Sequence, residues 1–292
     1  MATTDRIAAA PISWGVCEVP GWGYQLEPEL VLTQMSGLGI VATEFGPDTF
    51  LPADPAQKAT MLAAHGLAAV GGFVPVLLHE PSHDPLPGLE AELDAFVEAG
   101  AGTLVLAAST GVDGYDDRPA LDAAGWRRLL DNLDRLAAAA EARGILPTLH
   151  PHVGTMVEGP ADVARVLDGS RISLTLDTGH LMIGGNDVLA LAAAAPGRIA
   201  HTHLKDVRAD LARQVQQGEI TYTAAVAAGM YVPLGTGDVD LVGILGILEN
   251  AGYAGWYVME QDTILSGPEQ AAGALADVAA SLAFLTGVLD PA

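Results

Sequence analysis

Four short segments constrain this chain more than any other feature: TLHPHVG at 148–154, LTLDTGH at 174–180, HTHLKD at 201–206 and VMEQD at 258–262. Each opens with apolar or β-branched residues and ends in His, Asp or Glu. They recur at a spacing of one strand plus one helix. Successive strands that end in metal-capable side chains read as parallel strands of a barrel, with the working residues at one mouth.

The rest of the chain follows the same rhythm. Apolar runs at 6–14, 40–46, 67–78, 102–109, 145–152, 172–180, 198–207 and 255–262 read as strands. Helical patterns lie between them, such as EPELVLTQMSGL, LEAELDAFVEAG, PADVARVLDG and the long ALDAAGWRRLLDNLDRLAAAAEARG. Many close on glycine, at Gly39, Gly66, Gly100, Gly144, Gly169, Gly197 and Gly252, which suits helix C-termini. Eight strands alternating with eight helices is the arithmetic of an α/β fold of the (β/α)8 TIM-barrel type. A doubly wound open sheet is the alternative, but no GxGxxG follows the first strand. The best glycine cluster, PLGTGDVD at 233–240, comes late and follows no clear strand. No linker divides the chain, so one domain over 1–292 is expected. Its longest irregular insert is about 208–237, on the active-site face, where it is placed to act as a lid.

Composition excludes several classes. With 13 basic and 36 acidic residues the formal charge is −23, which repels nucleic acid and anionic membrane surfaces. Half the residues are apolar and 5% are aromatic, so the core must be mostly aliphatic. The single Cys17 forbids an internal disulfide and fits a reducing cytoplasm, as does an N-terminus without signal-peptide regions. Residues 59–79 carry no Asp, Glu, Lys or Arg and are long enough to span a membrane. Gly66, Gly71-Gly72 and Pro75 favour a helix end followed by a buried strand instead.

Strand alternation sorts the polar residues. His150 and His152 share one face; His201, His203 and Lys205 share another. A divalent ion needs several carboxylate or imidazole ligands converging within about 2.0–2.3 Å of one point. Asp177, His203 and Glu260 are the best three, one from each of three strands, with His150 as the natural fourth. A strand-end Asp can also be a plain helix cap. Lys205, His180 and His152 are candidates for acid–base work. Glu44, Trp14 and Asp206 are candidates for contact with substrate, although Glu44 can equally be a cap and Trp14 core filling. Gln261 and Asp262 can orient ligands. Cys17 has no base placed beside it by spacing.

The ordered stretches PISWG (11–15), TEFGPDTFLP (43–52), HPHVGTMVEG (150–159), LDTGHLMIGG (176–185), HTHLKDV (201–207), GMYVPLGTGDVD (229–240) and GYAGWYVMEQD (252–262) resemble the xylose-isomerase-like family of sugar isomerases and epimerases. Within it the chain is most similar to the inosose dehydratases, which act on 2-keto-myo-inositol in inositol catabolism. The resemblance implies a TIM barrel with one divalent ion, commonly manganese or cobalt, bound by Asp177, His203 and Glu260. It implies a small neutral keto-polyol substrate, and barrels that often associate as homo-oligomers. The family's wider pattern has Glu where this chain has His150, which argues against a plain epimerase. The implied reaction is dehydration beside a ketone. The rival readings are an isomerase or epimerase on the same metal site, and a non-catalytic sugar-binding barrel.

Overall fold

The computed structural model describes residues 3–112 and 114–290. Its strands are β1 (Ile7–Ala9), β2 (Ala42–Thr43), β3 (Ala68–Ala69), β4 (Gly71–Leu77), β5 (Thr103–Ser109), β6 (Leu146–Leu149), β7 (Ser173–Asp177), β8 (Ile199–Leu204), β9 (Asp206–Val207), β10 (Tyr231–Val232) and β11 (Tyr257–Met259). All but β9 and β10 form one parallel sheet, in the order β3-β2-β1-β11-β8-β7-β6-β5-β4. The row closes on itself because β3 and β4 are two halves of one strand. Val70, between them, donates its N–H to Thr43 of β2 and accepts from Thr103 of β5 and from Gly102 just before it. The architecture is therefore the expected eight-stranded TIM barrel, and each apolar run named above contains one barrel strand.

Around it lie α1 (Pro28–Gly37), α2 (Pro55–Ala64), α3 (Leu86–Ala99), α4 (Ala123–Glu141), α5 (Pro160–Gly169), α6 (Thr178–Ile183), α7 (Val188–Ala194), α8 (Ala209–Gln216), α9 (Tyr222–Ala227), α10 (Leu241–Asn250) and α11 (Ala271–Leu289). Helix α4 shows why they form. Asp122 caps it, accepting from the N–H groups of Ala124 and Gly125. Trp126, Leu129, Leu133, Leu136 and Ala140 recur at helical spacing and are buried, while Arg127, Asp131 and Glu141 face outward. Truncating Leu133 to Ala would cost about 2–5 kcal/mol. The chain leaves α4 through Gly144, whose left-handed φ of 75° suits glycine. Two of the expected stops differ. Gly169 is the last residue of α5, and Gly197 lies in a 3-10 turn at Pro196–Arg198.

The uncharged stretch 59–79 is divided between α2, β3 and β4, as its glycines predicted. The helix from Pro268 to Leu289 is long and apolar enough to cross a membrane. Its residues Ala271, Ala274, Val278, Ser281 and Leu285 are buried along one face.

The strand register sorts the barrel interior from its outside. Ala8 pairs with Val258, which pairs with His203. Ala8, Ala10, Ala42, Val70 and Val258 form a small apolar cluster of their own. Their neighbours Ile7, Ala9, Leu204, Tyr257 and Met259 belong to the large core under the helices. One half of the interior is thus lined by small side chains, which leaves room for Glu44, His201 and His203. Thr148 and Thr175 satisfy each other lower down, 2.7 Å apart.

The segment 208–237, read from sequence as irregular, is folded. It carries α8, α9 and β10, and β10 pairs antiparallel with β9. Thr221 caps α9 by accepting from Ala224 N–H. These elements are too short to give a clear period in sequence.

Candidate active site

The ligand-type residues converge at the C-terminal mouth of the barrel. Asp177 ends β7 and is the register partner of His203 on β8. Glu260 follows β11, its N–H donating to Leu204 of β8. His150 follows β6. Asp177 Oδ2 lies 3.1 Å from His150 Nε2 and 3.6 Å from His203 Nδ1. Glu260 Oε2 lies 3.3 Å from the same Nδ1. All four are at least nine-tenths buried. His152, the other histidine of HPH, lies beside His150 with ring centroids 5.1 Å apart and makes none of these contacts. Its Nδ1–H donates to Val153 O at 2.7 Å, and its ring lies on that of His180, 3.5 Å between centroids.

These residues fit a divalent ion. Ligands bonded at about 2.0–2.2 Å stand about 3–3.6 Å from one another around one ion. The measured 3.1, 3.3 and 3.6 Å match that spacing. His203 Nδ1 and His150 Nδ1 have no hydrogen-bond partner among the described residues, and His203 Nδ1 faces the two carboxylates. The mixed imidazole and carboxylate set suits a borderline ion.

Lys205 adjoins the same point. Its Nζ donates to Asp262 Oδ1 at 2.5 Å and lies 3.1 Å from Glu260 Oε2, 3.7 Å from Asp177 Oδ2 and 3.2 Å from His180 Nε2. The glycine of LDTGH is required by this packing. A Cβ at Gly179 would stand 2.7 Å from Lys205 Cβ and 2.8 Å from Tyr231 Cε1.

Burial opposes charge on every group here, and the neighbours decide the outcome. For Lys205, burial pulls the pKa down, but Asp262, Glu260 and Asp177 outweigh it and hold the amine well above its ordinary range. His203 is likewise pulled down by burial and carried well above its usual value by Glu260 and Glu44. Burial pushes Asp177 up, yet Lys205 and His180 hold it well below the usual carboxylate range. Burial lowers His150 to about 4 and keeps His152 and His180 well below the usual histidine value, so these three are neutral.

The remaining candidates from sequence stand elsewhere. Trp14 is fully buried in the main core, and its indole N–H donates to Gln34 of α1 at 2.8 Å. Its ring packs in that core. Asp206 is consumed by the glycine loop: Oδ2 accepts from Gly235 and Gly237, and Oδ1 from Val207 and Val239. A Cβ on Gly237 would meet Asp206 Oδ1 at 2.3 Å, so PLGTGDVD is the wrapping for this carboxylate. Glu44 lies within the barrel, where Oε1 accepts from His201 Nε2 at 2.8 Å and His203 Nε2 at 3.0 Å. Gln261 turns toward α11 and donates to Asp277.

The profile of the xylose isomerase-like TIM barrel family matches residues 42–284. The chain belongs to this family. Among its relatives, the inosose dehydratase of Geobacillus kaustophilus is 32% identical over 283 residues, covering 90% of each chain. That of Geobacillus thermodenitrificans is 30% identical over 276 residues, covering 90% of this chain and 92% of the relative. The rhizopine catabolism protein MocC of Rhizobium meliloti is 32% identical over 267 residues, covering 88% and 81%. Two solved structures share the fold. IolI protein with a bound zinc atom has a TM-score of 0.72 at 14% identity, covering 97% and 98%. L-ribulose 3-epimerase has a TM-score of 0.70 at 18% identity, covering 99% and 95%.

On this family barrel the chain places two phenols that its sequence did not advertise. Tyr222 of α9 donates its hydroxyl to Asp262 Oδ2 at 2.6 Å and lies 2.9 Å from the Tyr231 hydroxyl. Tyr231 also lies under Lys205, whose Nζ is 5.2 Å from the ring centroid. With Trp22, Val153, Ile183 and Val207 they belong to a second apolar cluster over the mouth. Trp22 is pinned there by its indole N–H to Thr263 O.

Proposed function

We propose that this chain is a metal-dependent hydro-lyase that removes water from a cyclic keto-polyol, with 2-keto-myo-inositol as substrate and a trihydroxycyclohexane dione as product. One observation carries the reading: an ammonium, Lys205, lies 3.1 Å from a carboxylate oxygen of the ligand set, Glu260 Oε2, with neutral histidines beside it. The inosose dehydratases at 30% and 32% identity, matched over nearly their whole length, support the reaction class and the substrate.

Asp177, His203 and Glu260, with His150 alongside, are the residues that would hold the ion, which the family resemblance makes manganese or cobalt. When bound, that ion supplies Lewis-acid stabilisation of negative charge on the ketone oxygen. The chain's own residues handle the protons. His152 is the general base: its Nδ1–H is fixed on Val153 O, so Nε2 keeps a lone pair. His180 Nε2 is already engaged by Lys205. The base takes the proton from the carbon beside the ketone, and the electron pair moves onto oxygen as an enolate. Collapse of the enolate breaks the bond to the β-hydroxyl, and Lys205 delivers the proton with which it leaves as water. Elimination leaves the enol of the dione, which ketonises as its hydroxyl proton moves to carbon; the sum is substrate to dione plus one water, with no change in oxidation balance.

Asp262 positions Lys205, and Tyr222 positions Asp262. The apolar cluster carrying Tyr222 and Tyr231 makes the insert a lid that excludes water from the enolate. A small neutral substrate and a cytoplasmic setting agree with the charge of −23 and the lone Cys17. The test is an assay of 2-keto-myo-inositol with the protein loaded with manganese or cobalt and with chelated protein. Growth of the dione's ultraviolet absorbance only in the loaded samples supports the proposal. Equal activity after complete chelation refutes metal dependence, and no absorbance under any loading refutes the reaction.

A further inference from the structure

Glu44 is an anomaly of the barrel interior. It is 3% exposed, on the same interior face as Ala42, and burying a carboxylate there is costly unless it is paired. His201 and His203 supply that pairing. Both hydrogen bonds fall on one oxygen, Oε1, from two histidines two residues apart on β8. His203 thereby has two unlike ends. Nε2 is engaged by Glu44, while Nδ1 lacks a hydrogen bond and points at Asp177 and Glu260.

We propose that Glu44, braced by His201, positions His203 as a metal ligand by holding its Nε2–H and so leaving Nδ1 for the ion. This rests on the metal reading above. Two imidazole nitrogens share Glu44 Oε1, at 2.8 and 3.0 Å, and an oxygen so placed accepts from both, so His203 presents N–H at Nε2. When an ion takes the place of the Nδ1 proton, the one N–H left to the imidazole is the one held at Nε2, and the lone pair is at Nδ1, where the two carboxylates converge. The same contact adds electron density to the ring and fixes its angle, as outer partners of metal-bound histidines do. His201 contributes by holding the shared oxygen in place from below. Its own Nδ1 has no partner and faces no other ligand-type group within hydrogen-bond distance.

Glu44→Gln tests this with little change of volume. A glutamine can accept or donate, so His203 is free to put its proton on Nδ1, in the place of the ion. Titration calorimetry of the chelated full chain with manganese, and separately with cobalt, reads the affinity without any substrate. The expected result is a loss of about 10–100-fold in affinity, the usual effect of removing an outer-shell partner, with the far-ultraviolet spectrum unchanged. In a His203→Ala background the same substitution should have no further effect, because the residue it positions is gone. Wild-type affinity in folded Glu44→Gln overturns the proposal, and so does an equal loss in the presence and absence of His203. If the wild-type protein binds neither ion, the metal reading fails and this inference fails with it. Wild-type binding with an unaffected variant defeats this inference alone.

Discussion

The Oδ1 of Asp177 accepts the backbone N–H of His180 at 2.7 Å, while its Oδ2 stands 3.1 Å from His150 Nε2 and 3.6 Å from His203 Nδ1. The residue is therefore helix cap and ligand-type group at once, one oxygen for each. The two tasks are separable. Asp177→Asn keeps an oxygen to cap α6 but loses the charge, whereas Asp177→Ala loses both. In chelated protein, urea unfolding should find the Ala variant less stable than the Asn variant by about 1 kcal/mol, the typical value of a cap. Manganese binding should be lost in both. Retained binding in Asp177→Asn would contradict the ligand assignment.

Tyr222→Phe removes only the hydroxyl that Asp262 accepts at 2.6 Å. A hydrogen bond to a charged group contributes about 1.5–3 kcal/mol, so kcat should fall roughly ten- to hundred-fold. Metal content should stay at the wild-type level, because Asp262 holds Lys205 and is not in the ligand set. Steady-state kinetics with metal analysis checks both; an unchanged kcat removes Tyr222 from the account.

Lys205→Met keeps much of the side-chain volume but takes away the proton donor. The rate should drop by about 10²–10⁴-fold, the usual contribution of general acid catalysis. Manganese content should be retained, since the charge removed is an ammonium that opposes a cation. A variant that turns over at the wild-type rate would rule out the proton-donor role.

How much of this was legible differs from residue to residue. Asp177, His203, Glu260 and Lys205 were legible because parallel barrel strands deliver their last residues to one mouth, and alternation fixes which of them face inward. Asp206 was read as a candidate for substrate contact, although it follows Lys205 by one residue and strand alternation turns it the other way. What it meets there, a ring of backbone N–H groups from 235–239, depends on a glycine loop whose path no period encodes. Tyr222 and Tyr231 were hidden for the same reason. Helix α9, which carries Tyr222, and the two-residue strand β10, which carries Tyr231, are too short to show a register with the barrel, so only the folded insert reveals that Tyr222 reaches Asp262 and Tyr231 reaches Tyr222. Trp14 was open between core and substrate contact; it packs in the main core, and its indole N–H donates to Gln34 across the first loop.

Cys17, packed against the apolar cluster over the mouth, gives a pH test. Burial, reinforced by Glu18, pushes its thiol up to about 12. An ordinary cysteine ionises near pH 8.5, so between about 8.5 and 12 only the unfolded chain loses this proton. Folding then binds the extra proton, and stability from this group declines as pH rises through that window. Iodoacetamide at pH 8.5 should modify Cys17 slowly in the native protein and rapidly in urea. Equal rates in the two states would contradict the shift.

The central claim is that the barrel mouth eliminates water from a keto-polyol and does not merely rearrange it. The most direct measurement is the mass spectrum of what manganese-loaded protein makes from 2-keto-myo-inositol. The account predicts a product lighter than the substrate by one water, formed by the wild type and not by the chelated protein or Glu260→Gln. A product of unchanged mass would contradict it and assign the site to isomerisation or epimerisation.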